Sequence, residues 1–201
     1  MSDKLEFANP KLGPRFEEAL VFATQKHHGQ TRKKTDVPYI AHLLSVAALV
    51  LEAGGDEDLA IAALLHDVVE DCGGAPMLEE VQRRFGSRVA HVVEGCTDTG
   101  DVPKPSWRVR KEEYLRHLHL ADEDVRLVSA ADKLHNLRSV VTGYRHAGKA
   151  VFERFAGKRD GTLWYYRALT EEFRHRKRNG LVDDLERAME ELEQLLAGSE
   201  Q

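Results

Sequence analysis

The feature that constrains this chain most is the stretch at residues 62–71, Ala62-Ala63-Leu64-Leu65-His66-Asp67-Val68-Val69-Glu70-Asp71. It begins as the apolar face of a helix and ends in four side chains able to serve a metal ion and a water. A buried element therefore delivers chemistry at its tip. At 3.6 residues per turn, His66 lies one turn below Glu70 and Asp67 one turn below Asp71, so all four share one patch. Adjacent helical side chains diverge by about 100°, so His66 and Asp67 can share a cation only in the wedge between them. That geometry leaves the ion open on its outer side. Imidazole and carboxylate are ordinary ligands of a catalytic divalent ion, and carboxylates one turn further on suit holding or deprotonating a water. A lone His-Asp pair is more often structural. Here two more carboxylates follow on the apolar side of a helix, where unpaired charge is costly, and a cation is the simplest remedy.

Helical spacing of apolar residues recurs along the chain. It predicts helices over residues 14–28, 40–53, 56–71, 76–85 and 87–96, the last with Ser87 as its N-cap, then a loop over 97–106 and a helix carrying Trp107, Tyr114, Leu115 and Leu118. A long helix follows over 123–145. After Val151 to Phe155, the Gly157 to Gly161 segment reads as a break, with Thr162 capping the next helix, and a last amphipathic helix covers 181–196. No stretch alternates with a two-residue period between hairpin turns, so the fold class is all-α, a bundle of about eight to ten helices.

A length of 201 residues with 42% hydrophobic content suits one domain over residues 1–201. The balance of 29 basic against 34 acidic residues, net charge −5, lacks the basic surface of a general nucleic-acid binder. No apolar run approaches the ~20 residues that span a bilayer. Cys72 and Cys96 form no CxxC motif and the first residues lack a signal-peptide core, so a reducing cytoplasm is the expected compartment.

Two ligands from one helix do not hold an ion firmly. His42, in the first turn of the helix at 40–53, is the first candidate to add to them. Asp132 interrupts the apolar run of the helix at 123–145, one turn before Asn136, so carboxylate and amide share a face. It either pairs with Lys133 or Arg138 or serves as a further ligand. The loop His27-His28-Gly29-Gln30-Thr31-Arg32-Lys33-Lys34 places three cations just before His42. Such a run is usually a solvated connection, but an anionic substrate entering this acidic patch needs compensating charge. Arg108, Arg110 and Lys111 offer a second positive surface, or a solvated helix face balanced by Glu112 and Glu113.

Taken in order, Arg32, then Pro38-Tyr39-Ile40-Ala41-His42, then His66-Asp67-Val68-Val69-Glu70-Asp71, then Ala131-Asp132-Lys133-Leu134-His135-Asn136-Leu137-Arg138 resemble the HD-domain superfamily, and more narrowly the alarmone hydrolase domain of RelA/SpoT homologues. The likeness covers residues 16–145, with the helices at 162–197 packed on it. It implies that His42, His66, Asp67 and Asp132 bind one divalent ion, typically Mn²⁺, and that Glu70 and Asp71 position the attacking water. Arg32, Lys33 and Asn136 match positions at the family's active site, and Arg138 is a further cation for the substrate. The family removes the 3′-pyrophosphate from guanosine tetra- or pentaphosphate. The resemblance therefore implies a small-molecule nucleotide substrate, no nucleic acid or membrane partner, and a stand-alone hydrolase. Leu43 stands where the family usually has proline, and Val37 where it commonly has glycine. Base preference and oligomeric state stay open. The alternatives are an HD phosphohydrolase acting on other nucleotides or phosphomonoesters, and a non-catalytic, metal-containing alarmone-binding module.

Overall fold

The computed structural model describes residues 12–98, 105–175 and 179–198. Among these the chain forms α1 (Pro14–Lys26), α2 (Ile40–Glu52), α3 (Glu57–Leu65), α4 (Val68–Cys72), α5 (Ala75–Phe85), α6 (Ser87–Cys96), α7 (Trp107–Leu120), α8 (Glu123–Ala147), a 3-10 segment (Gly148–Arg154), α9 (Lys158–Arg174) and α10 (Gly180–Gly198). The only β pairing among the described residues is one bridge, between Thr31 and Pro38. The fold is all-α, as the periodicity predicts. The loop expected at 97–106 falls largely on residues 99–104, outside the described residues.

Position in the bundle follows from how much of each helix is apolar. Every residue of α3 from Leu59 to Leu65 is buried, so it has no polar face to turn outward and must sit at the centre. There it packs against α1, α2, α6 and α8. Asp56 caps it by accepting a hydrogen bond from the Leu59 amide at 3.1 Å. The second axis is α8, whose 25 residues extend for roughly 38 Å at 1.5 Å per residue. Asp122 caps it in the same way through the Val125 amide, and α2, α6, α10 and the 3-10 segment surround it. Helix α10 lies along α8, while α7 packs on α9.

Three local expectations are corrected. The expected helix at 56–71 is interrupted, since α3 stops at Leu65 and α4 begins at Val68. The Nδ1 of His66 lies 2.8 Å from the Ala63 carbonyl, the acceptor that an unbroken ladder would give to the Asp67 amide. The N-cap of α6 is Gly86 rather than Ser87. Most informative is the segment at 157–161, which is no break, because α9 runs through Gly161 and Thr162. Thr162 caps nothing and donates its hydroxyl to the Lys158 carbonyl at 2.5 Å. These glycines allow close approach instead: a Cβ at Gly157 would meet the Trp107 ring at 2.6 Å and one at Gly161 at 3.0 Å. Trp107 thus packs against the backbone at the start of α9, which ties α7 to it.

Candidate metal and substrate site

The interruption between α3 and α4 builds the site. His66 and Asp67 both keep right-handed helical backbone angles, so the chain bends there without reversing. Because the His66 Nδ1–H donates to the Ala63 carbonyl, Nε2 is the atom that presents the lone pair when the ring is neutral. That atom is buried and has no hydrogen-bond partner. It lies 3.0 Å from Asp67 Oδ2 and 3.7 Å from Asp132 Oδ1.

His42 arrives from the first turn of α2, with Nε2 3.2 Å from Asp132 Oδ1 and 3.6 Å from Asp67 Oδ2. The two imidazoles sit edge to face with centroids 5.1 Å apart. His42, His66 and Asp67 each present a ligand atom, and these atoms all lie within 4.8 Å of one another. Imidazole lone pairs that face carboxylate oxygens repel them unless a cation lies between. The donor set and the unpartnered Nε2 of His66 together fit a divalent ion.

A second layer orients these groups. Lys133 reaches Asp132 Oδ2 at 2.5 Å, and the Asn136 amide nitrogen donates to Oδ1 at 2.5 Å. The Asn136 oxygen in turn accepts from the Arg32 guanidinium at 2.5 Å. Only this orientation of the amide satisfies both neighbours, one an acceptor and the other a donor. The Tyr39 hydroxyl donates to Asp67 Oδ2 at 2.6 Å, with its ring against His42 and the Arg32 guanidinium 5.6 Å above it. His42 Nδ1 lies 2.7 Å from His135 Nδ1. Further out, Gln30 donates to Asp71 Oδ2 at 2.7 Å.

Titration directions reflect a site short of positive charge. Burial alone would depress the His66 pKa, but the negative charges of Asp67 and Asp132 hold it well above the ordinary value, which marks Nε2 as a place for positive charge, whether a proton or an ion. Burial would raise Asp67, yet His66 and His42 keep it well below the usual carboxylate range. Asp132 is likewise held low against burial by Lys133, His42 and His66. Burial, then the charges of His42 and Arg32, push His135 down to about 4. Asp71 moves the other way: burial raises it, the Gln30 bond opposes, and the Asp67 and Glu70 charges add to the rise.

Helices α2, α3, α4 and α8 thus bring His42, His66, Asp67 and Asp132 together, with Asn136 and Arg32 at their edge. Glu70 and Asp71 stand on α4, the first half-buried and the second exposed. Asp71 keeps its one-turn relation to Asp67 through an amide bond to the Asp67 carbonyl at 2.9 Å. Arg138 is drawn elsewhere, bonded to Asp184 of α10 at 2.7 Å. Lys33 is exposed on the loop. Lys34, though exposed, donates to the Glu153 carbonyl at 2.6 Å and so ties the loop to the 3-10 segment. Arg110 and Lys111 share Asp98, and Arg108 pairs with Glu112 and lies over the Trp164 ring, so two carboxylates offset the three cations in part. Sequence reasoning gave no role to Tyr39, His135 or Gln30. His135 stands three residues after Asp132 on one helix, so the spacing rule used for Asn136 was enough to find it.

The description HD domain fits a family profile that matches residues 19–163. A guanosine-3′,5′-bis(diphosphate) 3′-pyrophosphohydrolase of Aquifex aeolicus is 38% identical over 141 residues, 69% of this chain. The chain spans only 19% of that relative's length. The enzyme of the same name, MESH1, from Xenopus tropicalis is 41% identical over 126 residues, covering 61% of this chain and 68% of that protein. A solved metazoan ortholog of SpoT, described as hydrolysing ppGpp with a role in starvation responses, superposes with a TM-score of 0.73 at 28% identity, covering 90% of this chain and 96% of the other. With the profile spanning α1 to α9 and the His, His-Asp and Asp side chains converging as described, the chain belongs to the HD-domain family.

Proposed function

We propose that this chain is a divalent-metal-dependent hydrolase that removes the 3′-pyrophosphate from guanosine 3′,5′-bis(diphosphate) and related alarmone nucleotides. The observation that carries the reading is the buried Nε2 of His66, without a donor and aimed toward two carboxylates. Asn136 links the guanidinium of Arg32 to one of them, Asp132. Proteins of that activity are similar to this chain over most of the residues concerned.

His42, His66, Asp67 and Asp132 would hold one ion, for which Mn²⁺ is proposed. When bound, the ion supplies Lewis acidity toward a phosphate oxygen and lowers the pKa of water. Glu70 and Asp71 orient the attacking water and accept its proton. The water's oxygen bonds to the phosphorus carried on the 3′ oxygen. The phosphorus–O3′ bond breaks, and its electron pair stays on O3′, which takes up a proton. The products are pyrophosphate and guanosine 5′-diphosphate. Arg32, aimed by Asn136, and Lys33 on the loop balance the diphosphate's charge. Arg138 leaves this set, because its guanidinium is bonded to Asp184.

Product analysis tests the reading, using Mn²⁺ with guanosine and adenosine 3′,5′-bis(diphosphates) and with ordinary nucleotides. Release of pyrophosphate from the 3′ position is expected. Orthophosphate from monoesters without pyrophosphate from the bis(diphosphates) would make the chain a different HD phosphohydrolase. Tight alarmone binding without turnover would make it a binding module.

A further inference from the structure

Asp71 is the more exposed of the two carboxylates assigned to the water, and its side chain sits at the end of a short chain of hydrogen bonds from α1. His27, the C-cap of α1, is buried and stacks on Tyr39 with centroids 5.0 Å apart and planes 17° from parallel. Its Nε2 is buried and has no partner. A proton there would be an unsatisfied donor, so the proton resides on Nδ1, 2.7 Å from Gln30 Oε1. The backbone clamps Gln30 as well: its amide donates to the His27 carbonyl at 3.0 Å, and its carbonyl accepts from the Tyr39 amide at 2.9 Å. Gly29, at φ +74°, makes the tight turn that returns Gln30 toward α4. With Oε1 taken by a donor, the amide nitrogen is the end that faces Asp71, and it donates to Oδ2 at 2.7 Å.

We infer that Gln30, locked by the Nδ1–H of His27, is a positioning residue that engages one oxygen of Asp71 and leaves the other to take the proton of the attacking water. This rests on the role proposed for Asp71. A carboxylate on a five-residue helix beside a bend has free rotation to lose, and orientation of a base is a large part of its effectiveness. Gln30 is hydrogen-bonded to none of the four proposed ion ligands, so its loss acts on turnover rather than on ion binding. The bond to Asp71 crosses 41 residues of sequence, which makes it an independent tie between the loop and α4.

Steady-state kinetics on guanosine 3′,5′-bis(diphosphate) with Mn²⁺ tests this, alongside Mn²⁺ affinity and thermal unfolding. Gln30→Ala is expected to lower kcat by about 10- to 100-fold, the usual effect of removing such a supporting partner. KM and Mn²⁺ affinity should hold. His27→Phe keeps the stacked ring but lacks the N–H and should behave alike, whereas His27→Asn, whose amide nitrogen occupies the Nδ1 position, should recover much of the rate. In an Asp71→Asn background, Gln30→Ala should have no further effect. If Asp71→Asn turns over like the parent, the role of Asp71 falls and the relay with it. If Asp71→Asn is impaired while Gln30→Ala keeps the parent kcat, or lowers it equally in both backgrounds, the relay alone is overturned. Gln30 is only half-buried, so its variants decide the matter even if a His27 variant fails to fold. A parent without turnover overturns the functional reading and the relay together.

Discussion

Replacing His135 with phenylalanine should weaken ion binding without unfolding the protein. For His42 to offer Nε2 to a cation, its proton must sit on Nδ1, and the atom facing that proton is His135 Nδ1 at 2.7 Å. His135 suits an acceptor's role, since burial and the charges of His42 and Arg32 push its pKa down to about 4 and leave it neutral at pH 7. Phenylalanine keeps a ring beside His42 but removes the acceptor. His42 is only 1% exposed, so its Nδ1–H would be left without water. The imidazole would then move its proton to Nε2, where Asp132 Oδ1 waits 3.2 Å away, and that proton would occupy the site of the ion. Leaving a buried donor unsatisfied costs about 1–3 kcal/mol. Restoring the competent tautomer should therefore weaken Mn²⁺ binding by about 5- to 150-fold. Calorimetric titration of metal-free parent and variant, with thermal unfolding in parallel, measures this. His135→Gln, with an acceptor oxygen, should regain part of the loss. An Mn²⁺ affinity equal to the parent's in His135→Phe would refute the tautomer argument.

Arg32→Ala should reduce kcat/KM for a 3′-pyrophosphorylated nucleotide far more than for a simple phosphoester, and Arg32→Lys should restore only part, because lysine lacks the two-pronged contact; equal losses on both substrates would return the loop to a purely structural role. Glu70→Gln should keep Mn²⁺ binding while kcat falls by roughly 10²-fold or more, and an unchanged kcat would remove Glu70 from the chemistry. Gly157→Ala should destabilise by about 1–3 kcal/mol through overpacking against Trp107. Gly161→Ala, where the contact is looser and a helix-interior glycine is replaced for a gain of about 1 kcal/mol, should be close to neutral, so equal melting temperatures for the two would contradict the packing.

The elements legible in the sequence were those whose reason is local. The apolar run ending at Leu65, the spacing of Asp132 and Asn136, and the short distance from loop to His42 are all written in neighbouring residues. The interruption at His66 and Asp67 was hidden because the apolar pattern continues unchanged through Val68 and Val69. Its cause is a side chain bonding to the Ala63 carbonyl. Gly157 and Gly161 looked like punctuation because nothing in their vicinity reveals Trp107, about fifty positions earlier, lying against them. The same distance concealed the Gln30 to Asp71 and Arg138 to Asp184 bonds. Which cations face the substrate is a tertiary property, and composition could nominate them without deciding among them.

One ion, held by His42, His66, Asp67 and Asp132, is proposed to support removal of the 3′-pyrophosphate. Metal-free protein titrated with Mn²⁺, with bound ion and pyrophosphate release from guanosine 3′,5′-bis(diphosphate) recorded at each step, tests it most directly. Occupancy and rate should rise together and level off at one ion per chain, and His66→Ala should abolish both. Full release before any ion is bound, or an unchanged titration in His66→Ala, would contradict the account.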